Sequence, residues 1–457
     1  MAKITLINPP IQGKSPGIVI PSLGLGYIAS SLRQAGLETR IIDAVALGLD
    51  HAAVTQQIAR TKPEIVGITA TTPLANSAYQ LVKSLRPHAR WLVLGGAHPS
   101  AVSRRIFAQC PELDFGFRGE AEESFPTFAK ALLAGDSNTH FPGFITKSQD
   151  SQPASIKDPR ELPFPAWDLM PMERYRHPMF PGERLATLFS SRGCPYQCIF
   201  CDKTVCGSRY RPRSPENVLQ EIAALNSRHG VTAFMFYDDL FSWDRERVIA
   251  ICRLITSRGL KIRWKCECRA DTVDDEMLSA MQQAGCVQIA FGIETAHQKG
   301  LDWLRKGITV EQVKDAVART KKAGIKVLGY FILGIPVEDY AEESQTAEFA
   351  AALGLDYAQF ASLSPFPGTP LYDLAQEKGW YREGPGPAPE EYGDTRPLLI
   401  TDYWTEARLK RIMSQAYRRF YFRPGYLLKT ALRPRGFLDL ARSGLRLLRW
   451  LFAQFRA

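Results

Sequence analysis

With 457 residues, 45% of them hydrophobic and 23% charged, the chain is long enough for about two to four folded domains, and its composition excludes disorder, collagen and a simple coiled coil. The net charge of +10 suggests nucleic acid or membrane only until it is located. From Tyr403 onward thirteen Lys and Arg stand against Glu406 and Asp439 alone, so the rest of the chain is close to neutral. No apolar stretch near the N-terminus has signal-peptide form and no uncharged apolar run is long enough to span a bilayer, so a cytoplasmic protein is expected. Nine cysteines in that compartment point to metal ligation or catalysis, not to disulfides.

From Lys3 to about Ile145, strand candidates at 4–7, 39–42, 65–69, 91–94 and 115–118 alternate with helix-like stretches, which predicts βαβ units and a parallel, doubly wound sheet over residues 1–146. Ligands of such sheets sit past the C-terminal strand ends. Those ends carry Asn8-Pro9-Pro10, Thr69-Ala70-Thr71-Thr72, Gly95-Gly96-Ala97-His98 and Gly119-Glu120, which therefore share one rim. Residues 147–183 hold seven prolines and little periodicity, as an ordered linker would. A second βα series follows over 184–383, with strands expected at 185–190, 233–237, 262–267, 288–293, 327–333 and 357–363 and helices such as 215–227, 245–257 and 310–323. Six such units make a partial barrel, again with its chemistry at the C-terminal strand ends. The Gly/Pro segment 384–389 opens a mainly helical C-terminal region, 384–457.

The first barrel strand ends in Ser191-Arg192-Gly193-Cys194-Pro195-Tyr196-Gln197-Cys198-Ile199-Phe200-Cys201. Three thiolates in one Gly/Pro loop can converge on one centre, and soft sulfur ligands select zinc or iron-sulfur. A zinc site would take four ligands, with Cys206 as the next sulfur; three ligands on a cubane leave one iron open. Cys266 and Cys268 share one face of a strand and, with Cys110, Cys252 and Cys286, suit the core.

Cys-x3-Cys-x2-Cys with an aromatic before its last cysteine, following the first strand of a βα barrel, resembles the radical S-adenosylmethionine superfamily. The resemblance implies that Cys194, Cys198 and Cys201 hold a 4Fe-4S cluster whose open iron chelates S-adenosylmethionine, with Phe200 beside the adenine. It further implies S-adenosylmethionine contacts at Asp238-Asp239, where the family often has Gly-Gly-Glu, at Glu294 near the ribose, and at Ile332 and Gly334 near the adenine. Loop capping by the two aspartates is the competing reading. Pro365 to Pro370 borders the substrate or forms a rigid turn.

The first loop, Asn8 to Gly13, lacks Gly-x-Gly-x-x-Gly, which disfavours a dinucleotide. The N-terminal region instead resembles the Rossmann-like cobalamin-binding domain that precedes many such barrels. That resemblance implies cobalamin contacts at Asn8, Pro9, Leu23, Gly24, Thr69, Gly95, Gly96, His98 and Glu120, though His98 could equally cap a helix. Asp-x-His-x-x-Gly, which supplies a histidine to cobalt in mutases, is absent; the near misses are 138–143 and 295–300. No histidine ligand from that motif is expected.

From Gly436 to Ala457, Phe437, Leu440, Leu445, Leu448, Leu451, Phe452 and Phe455 fall on one helical face and Arg442, Arg446 and Arg449 on the other. Such a basic amphipathic tail suits an anionic membrane surface, or packing on the barrel; nucleic acid is not expected. Tyr417 to Gly425 resembles the C-terminal region of relatives of the anaerobic porphyrin-ring cyclase. The resemblances imply a cobalamin-dependent radical methyltransferase acting on an unactivated carbon or phosphorus of a small molecule or lipid, served by an external electron donor. Oxidative ring closure and a membrane-docked cobalamin or redox sensor are the alternatives.

Overall fold

The computed structural model describes residues 3–11, 17–136, 140–381 and 398–431. Its first sheet contains β1 (Ile4–Asn8), β2 (Thr39–Asp43), β3 (Ile65–Thr69), β4 (Trp91–Gly95), β5 (Phe115–Phe117) and β6 (Phe144–Ile145) in the order β2-β1-β3-β4-β5-β6. All neighbours are parallel except β5 and β6. Strand side chains alternate between two apolar cores, as a sheet covered on both faces requires. Ile4, Leu6, Ile65 and Val93 meet the helices Leu23–Gln34 and Ser124–Leu133, while Ile7, Val66, Ile68 and Leu94 meet His51–Thr61 and Ala75–Leu85.

The second sheet follows from β7 (Leu185–Leu188). A two-stranded antiparallel ribbon, β8 (Ser191–Arg192) with β9 (Arg211–Pro212), brackets the cysteine loop. Then come β10 (Ala233–Phe236), β11 (Arg263–Cys268), β12 (Cys286–Glu294), β13 (Lys326–Leu333) and β14 (Tyr357–Ser362). The order β14-β13-β12-β11-β10-β7, parallel throughout, makes the six-stranded partial barrel anticipated from the βα rhythm. Its helices begin at side-chain caps: Ser214, Asp244, Asp274, Thr309 and Asp339 each accept a hydrogen bond from a backbone N–H of the first turn. β6, β8 and β9 escape the sequence pattern because a two-residue strand shows no alternation.

Residues 147–183 pack between the two sheets. Tyr175 donates to Asp43 (3.0 Å), Trp167 Nε1 donates to Glu221 (3.2 Å), and Gly26 leaves no room for a Cβ beside Pro165. Helix Glu406–Tyr421 covers the open edge strand β14. No helix among the described residues is long and apolar enough to cross a membrane. The Gly/Pro segment 384–389 and the tail 436–457 lie outside the described residues.

Candidate active site

The loop between β8 and β9 begins at Gly193, whose φ of +82° and contact with the Arg209 carbonyl leave no space for a Cβ. Its N–H donates to Asp239 Oδ2 (2.7 Å), and the Ile199 N–H donates to the Leu304 carbonyl (3.1 Å), so the loop is tied at both flanks to the barrel. The Arg269 guanidinium lies 3.3 Å from the ring centroid of Tyr196 and pairs with Asp271. Cys194 and Cys198 are half-buried and Cys201 is exposed at the loop edge. The dense surroundings of the loop, with Cys198 and Cys194 adding, push the Cys201 thiol up to about 12. The three sulfurs thus feel one another, although the described residues hold no preassembled set of three metal-ligating side chains.

Lys203, two residues beyond Cys201, puts a positive charge near Cys194 and Cys201, and its Nζ is buried without a hydrogen-bond partner among the described residues. A buried cation lacking a counter-charge is costly. Three soft sulfur donors beside an uncompensated cation fit an anionic iron-sulfur cluster. Cys206 does not complete a four-cysteine zinc set: it lines a cavity on the other side of the loop.

On the barrel side lies a cavity of about 340 Å³ lined by Phe200, Asp239, Glu294 and Ile332, with Glu267, Arg269, Lys306 and Tyr330 beside them. Glu294 and Lys306 form a buried ion pair (2.6 Å). Lys306 Nζ also sits 5.9 Å from the Phe200 ring centroid. Glu294 occupies φ +67°, where the register of β12 on β13 shifts between Gly292 and Glu294. Lys306, Arg269, Glu267 and Tyr330 were not singled out from sequence; each sits in a strand or loop whose local pattern carries no motif.

Two of the residues expected at this cavity do not line it. Asp238 does not line it: its carboxylate accepts from the Ser190 N–H (2.6 Å) and from the Ser190 and Ser191 hydroxyls (2.5 and 2.6 Å), which ties the loop after β10 to the start of β8. Of the two aspartates, only Asp239 lines the cavity. Gly334 does not line it either, because it sits at φ +89° against Leu409 and donates its N–H to Glu343 (2.8 Å).

Beyond the C-terminal ends of the first sheet is a second cavity, of about 360 Å³, with largely apolar walls. Gly24, Thr69, Gly95, Gly96 and Glu120 line it. Nothing lies within 4 Å of a Cβ added at Gly24 or Gly95, so these glycines open the cradle. Asn8, Pro9, Leu23 and His98 do not line it. Asn8 donates to Asp43 (2.9 Å), Pro9 is buried at the exit of β1, and Leu23 is 6% exposed in the core. His98 is enclosed with Tyr79 (2.8 Å) and Thr72 (3.3 Å), and burial lowers it to about 4, so it serves as a packed neutral histidine. Of the near-miss histidines, His297 bonds the Glu342 carbonyl (2.9 Å) in the barrel, and the other motif falls partly outside the described residues.

Glu120 lines this cavity yet spends its oxygens inward, on Arg192 (2.9 Å), Arg211 (2.5 Å) and the Ile156 N–H (3.0 Å). Arg192 also pairs with Glu122 (2.7 Å) and stacks on Tyr27, 4.9 Å from its ring centroid. Arg192, Val205 and Cys206 form the cavity's far wall. The cysteine loop is therefore a common partition, with Phe200 on the barrel cavity and Arg192, Val205 and Cys206 on the other.

Fold and paired cavities define a radical S-adenosylmethionine barrel joined to a B12-type domain, and the comparisons agree. Residues 12–129 match the B12 binding domain and residues 188–350 the Radical SAM superfamily. The chain is 33% identical over 454 residues to an uncharacterized methyltransferase of Pyrococcus horikoshii, covering 95% of this chain and 96% of that one. It is 28% identical to the anaerobic magnesium-protoporphyrin IX monomethyl ester cyclase of Cereibacter sphaeroides, covering 88% of this chain and 67% of that one. Among solved structures, the cobalamin-dependent S-adenosylmethionine radical enzyme OxsB shares the fold with a TM-score of 0.78 at 19% identity, covering 97% of this chain and 70% of that one. The chain belongs to the family of cobalamin-dependent radical S-adenosylmethionine methyltransferases.

Proposed function

We propose that this enzyme methylates an unactivated carbon, or phosphorus, of a small molecule or lipid, using a 4Fe-4S cluster on Cys194, Cys198 and Cys201, S-adenosylmethionine in the barrel cavity and cobalamin over the N-terminal one. The observation that carries this reading is the shared partition: one loop, residues 193–210, separates the two cavities, so a methyl carrier and a radical source can serve one substrate. When bound, the three groups supply radical formation and methyl carriage.

The chain's own residues bind and orient. Glu294, held by Lys306, offers a carboxylate to ribose hydroxyls, and Phe200 offers a ring to the adenine. Asp239 faces the cavity near the loop, where its carboxylate suits an ammonium group. The N-terminal cavity, at the lower end of ligand-pocket volumes, would hold part of a corrinoid against Gly24, Thr69, Gly95 and Gly96, with Arg192 and Cys206 in its far wall.

The test is an anaerobic assay of the cluster-reconstituted protein with cobalamin, an external reductant and methyl-labelled S-adenosylmethionine. Methyl transfer predicts 5'-deoxyadenosine, S-adenosylhomocysteine and label on cobalamin together. A second reading, oxidative ring closure, draws support from the cyclase relative and predicts 5'-deoxyadenosine without label on cobalamin. Absence of 5'-deoxyadenosine from protein with intact cluster and bound cobalamin would favour a sensor instead.

A further inference from the structure

We propose that Lys203 is the cation that sets the electron affinity of the iron-sulfur cluster. The inference rests on the assignment of that cluster to Cys194, Cys198 and Cys201. Lys203 lies in the turn that leaves the third cysteine, fixed by the Gly207 N–H donating to its carbonyl (3.0 Å) and by Asp202 Oδ1 accepting from the Thr204 N–H (2.8 Å). Two neighbouring donors in this turn, Lys203 Nζ and Thr204 Oγ1, are both buried with no hydrogen-bond partner among the described residues. Adjacent buried donors without acceptors mark a place where an acceptor belongs.

The acceptor's position follows from what surrounds the turn. Lys203 lines neither cavity, so its ammonium is aimed neither at the nucleoside pocket nor at the corrinoid cradle. It follows Cys201 by two residues, so its buried, unpartnered ammonium lies in the loop that carries the three thiols. The nearby carboxylate Asp239 is engaged by the Gly193 N–H, and Lys203 Nζ has no hydrogen-bond partner among the described residues. Thiolate and sulfide sulfurs of a cluster are the acceptors this geometry leaves.

The consequence is a redox one. Reduction adds one electron from an external donor and makes the cluster one charge more negative, with no bond or proton exchanged at the protein. A fixed ammonium and its N–H donors favour the more negative state, because net charge and hydrogen bonds to sulfur set the potential of such clusters. Lys203 thereby eases the electron-transfer step that precedes cleavage of S-adenosylmethionine.

The experiment is a mediator-coupled dithionite titration of the full, cluster-reconstituted chain, read by electron paramagnetic resonance of the reduced cluster. Lys203→Met, with the parent's iron and sulfide content, should lower the reduced-to-oxidised ratio at a fixed potential at least tenfold, equal to 59 mV for one electron. Lys203→Arg should keep the ratio within about twofold of the parent, a rescue that a merely structural role does not require. An unchanged midpoint in a fully loaded Lys203→Met protein overturns the proposal. Where Lys203→Met takes up no cluster, Lys203→Gln is titrated instead, and a parent-like midpoint there overturns it equally. Failure of both neutral variants to load, with loading restored by Arg alone, supports the requirement for charge. A parent chain that takes up no iron, or takes it up unchanged after Cys198→Ala, overturns the cluster assignment itself and the proposal with it.

Discussion

Glu294 and Lys306 meet where the backbone is least relaxed. A non-glycine residue at φ +67° carries a conformational cost that its surroundings must offset. The buried ion pair does so: Lys306 holds the Glu294 carboxylate at the cavity wall, and a Cβ at Gly292 would collide with both charged groups. Lys306→Met therefore leaves a buried carboxylate unpaired, and Gly292→Ala pushes the pair apart without touching either charge. Each should weaken S-adenosylmethionine binding to the reconstituted protein at least tenfold, about 1.4 kcal/mol, as read by equilibrium dialysis. Unchanged affinity in both variants would remove the pair from the binding site. The contrast with Asp238 shows where sequence reading stops at this scale. The cysteine motif is legible because its spacing is local, and the rim glycines because strand ends announce them. Whether an aspartate at a strand end faces the ligand or is consumed by Ser190 and Ser191 depends on partners 47 and 48 residues away, which no local pattern encodes.

At the scale of elements, the open edge of the partial barrel is closed by tyrosines. Tyr417 Oη accepts from the Phe360 N–H (3.2 Å) and donates to the Phe360 carbonyl (3.1 Å), while Tyr421 does the same at Ala358 (3.1 and 2.7 Å). Residues four apart on the helix reach residues two apart on β14, so one helical turn occupies the backbone groups that would otherwise recruit a foreign strand. Tyr417→Phe with Tyr421→Phe should cost about 1–3 kcal/mol for each site left unsatisfied and raise the tendency to aggregate, measured by urea unfolding and light scattering. The aromatic run there is visible in the sequence; its role as an edge cover is not, because that requires knowing which strand is last in the sheet.

The loop after β13 adds a pH-dependent element. Burial raises Glu338 to about 7 from its ordinary 4.5, with the Thr295 hydroxyl bonded to its oxygens (2.8 and 2.9 Å) and His297, Lys299, Glu342 and Glu343 around it. Burial also pushes Glu343 up, with Glu338 adding. Between pH 4.5 and 7 the folded chain keeps a proton on Glu338 that the unfolded chain has released, so this group's contribution to stability falls as pH rises through that window and then levels off. Relative to the parent, Glu338→Gln should gain stability on going from pH 5 to pH 7.5, by up to about 1.4 kcal/mol per pH unit. Parallel urea midpoints for the two proteins across that range would show that Glu338 does not hold the proton.

Across the whole molecule, a single apolar core runs from Ile4 and Leu32 through Trp167 and Met170 of the connecting segment to Leu185, Phe236 and Phe291 of the barrel. The two sheets are therefore not beads on a string. Their polar joint is as continuous as the apolar one: Glu120 and Glu122 of the first module meet Arg192 and Arg211 of the ribbon around the cysteine loop, with every side chain of the four about 94% buried or more. A network so enclosed is weak evidence for net stability, since desolvation offsets much of its attraction, but deleting one member strands the others in a low-dielectric site at about 3–5 kcal/mol. Glu120→Ala should accordingly do more than lower the melting temperature. The parent should unfold in one calorimetric transition, because a shared core makes each module depend on the other. The variant, with Arg211 stripped of its carboxylate and Arg192 left to Glu122 alone, should resolve into two transitions and expose residues 147–183 to limited proteolysis. Since Arg192 also forms the wall between the two cavities, the same change should loosen cobalamin binding while leaving cluster loading intact. A variant that still melts in one step with parent-like cobalamin affinity would mean that the apolar core alone holds the cavities in register.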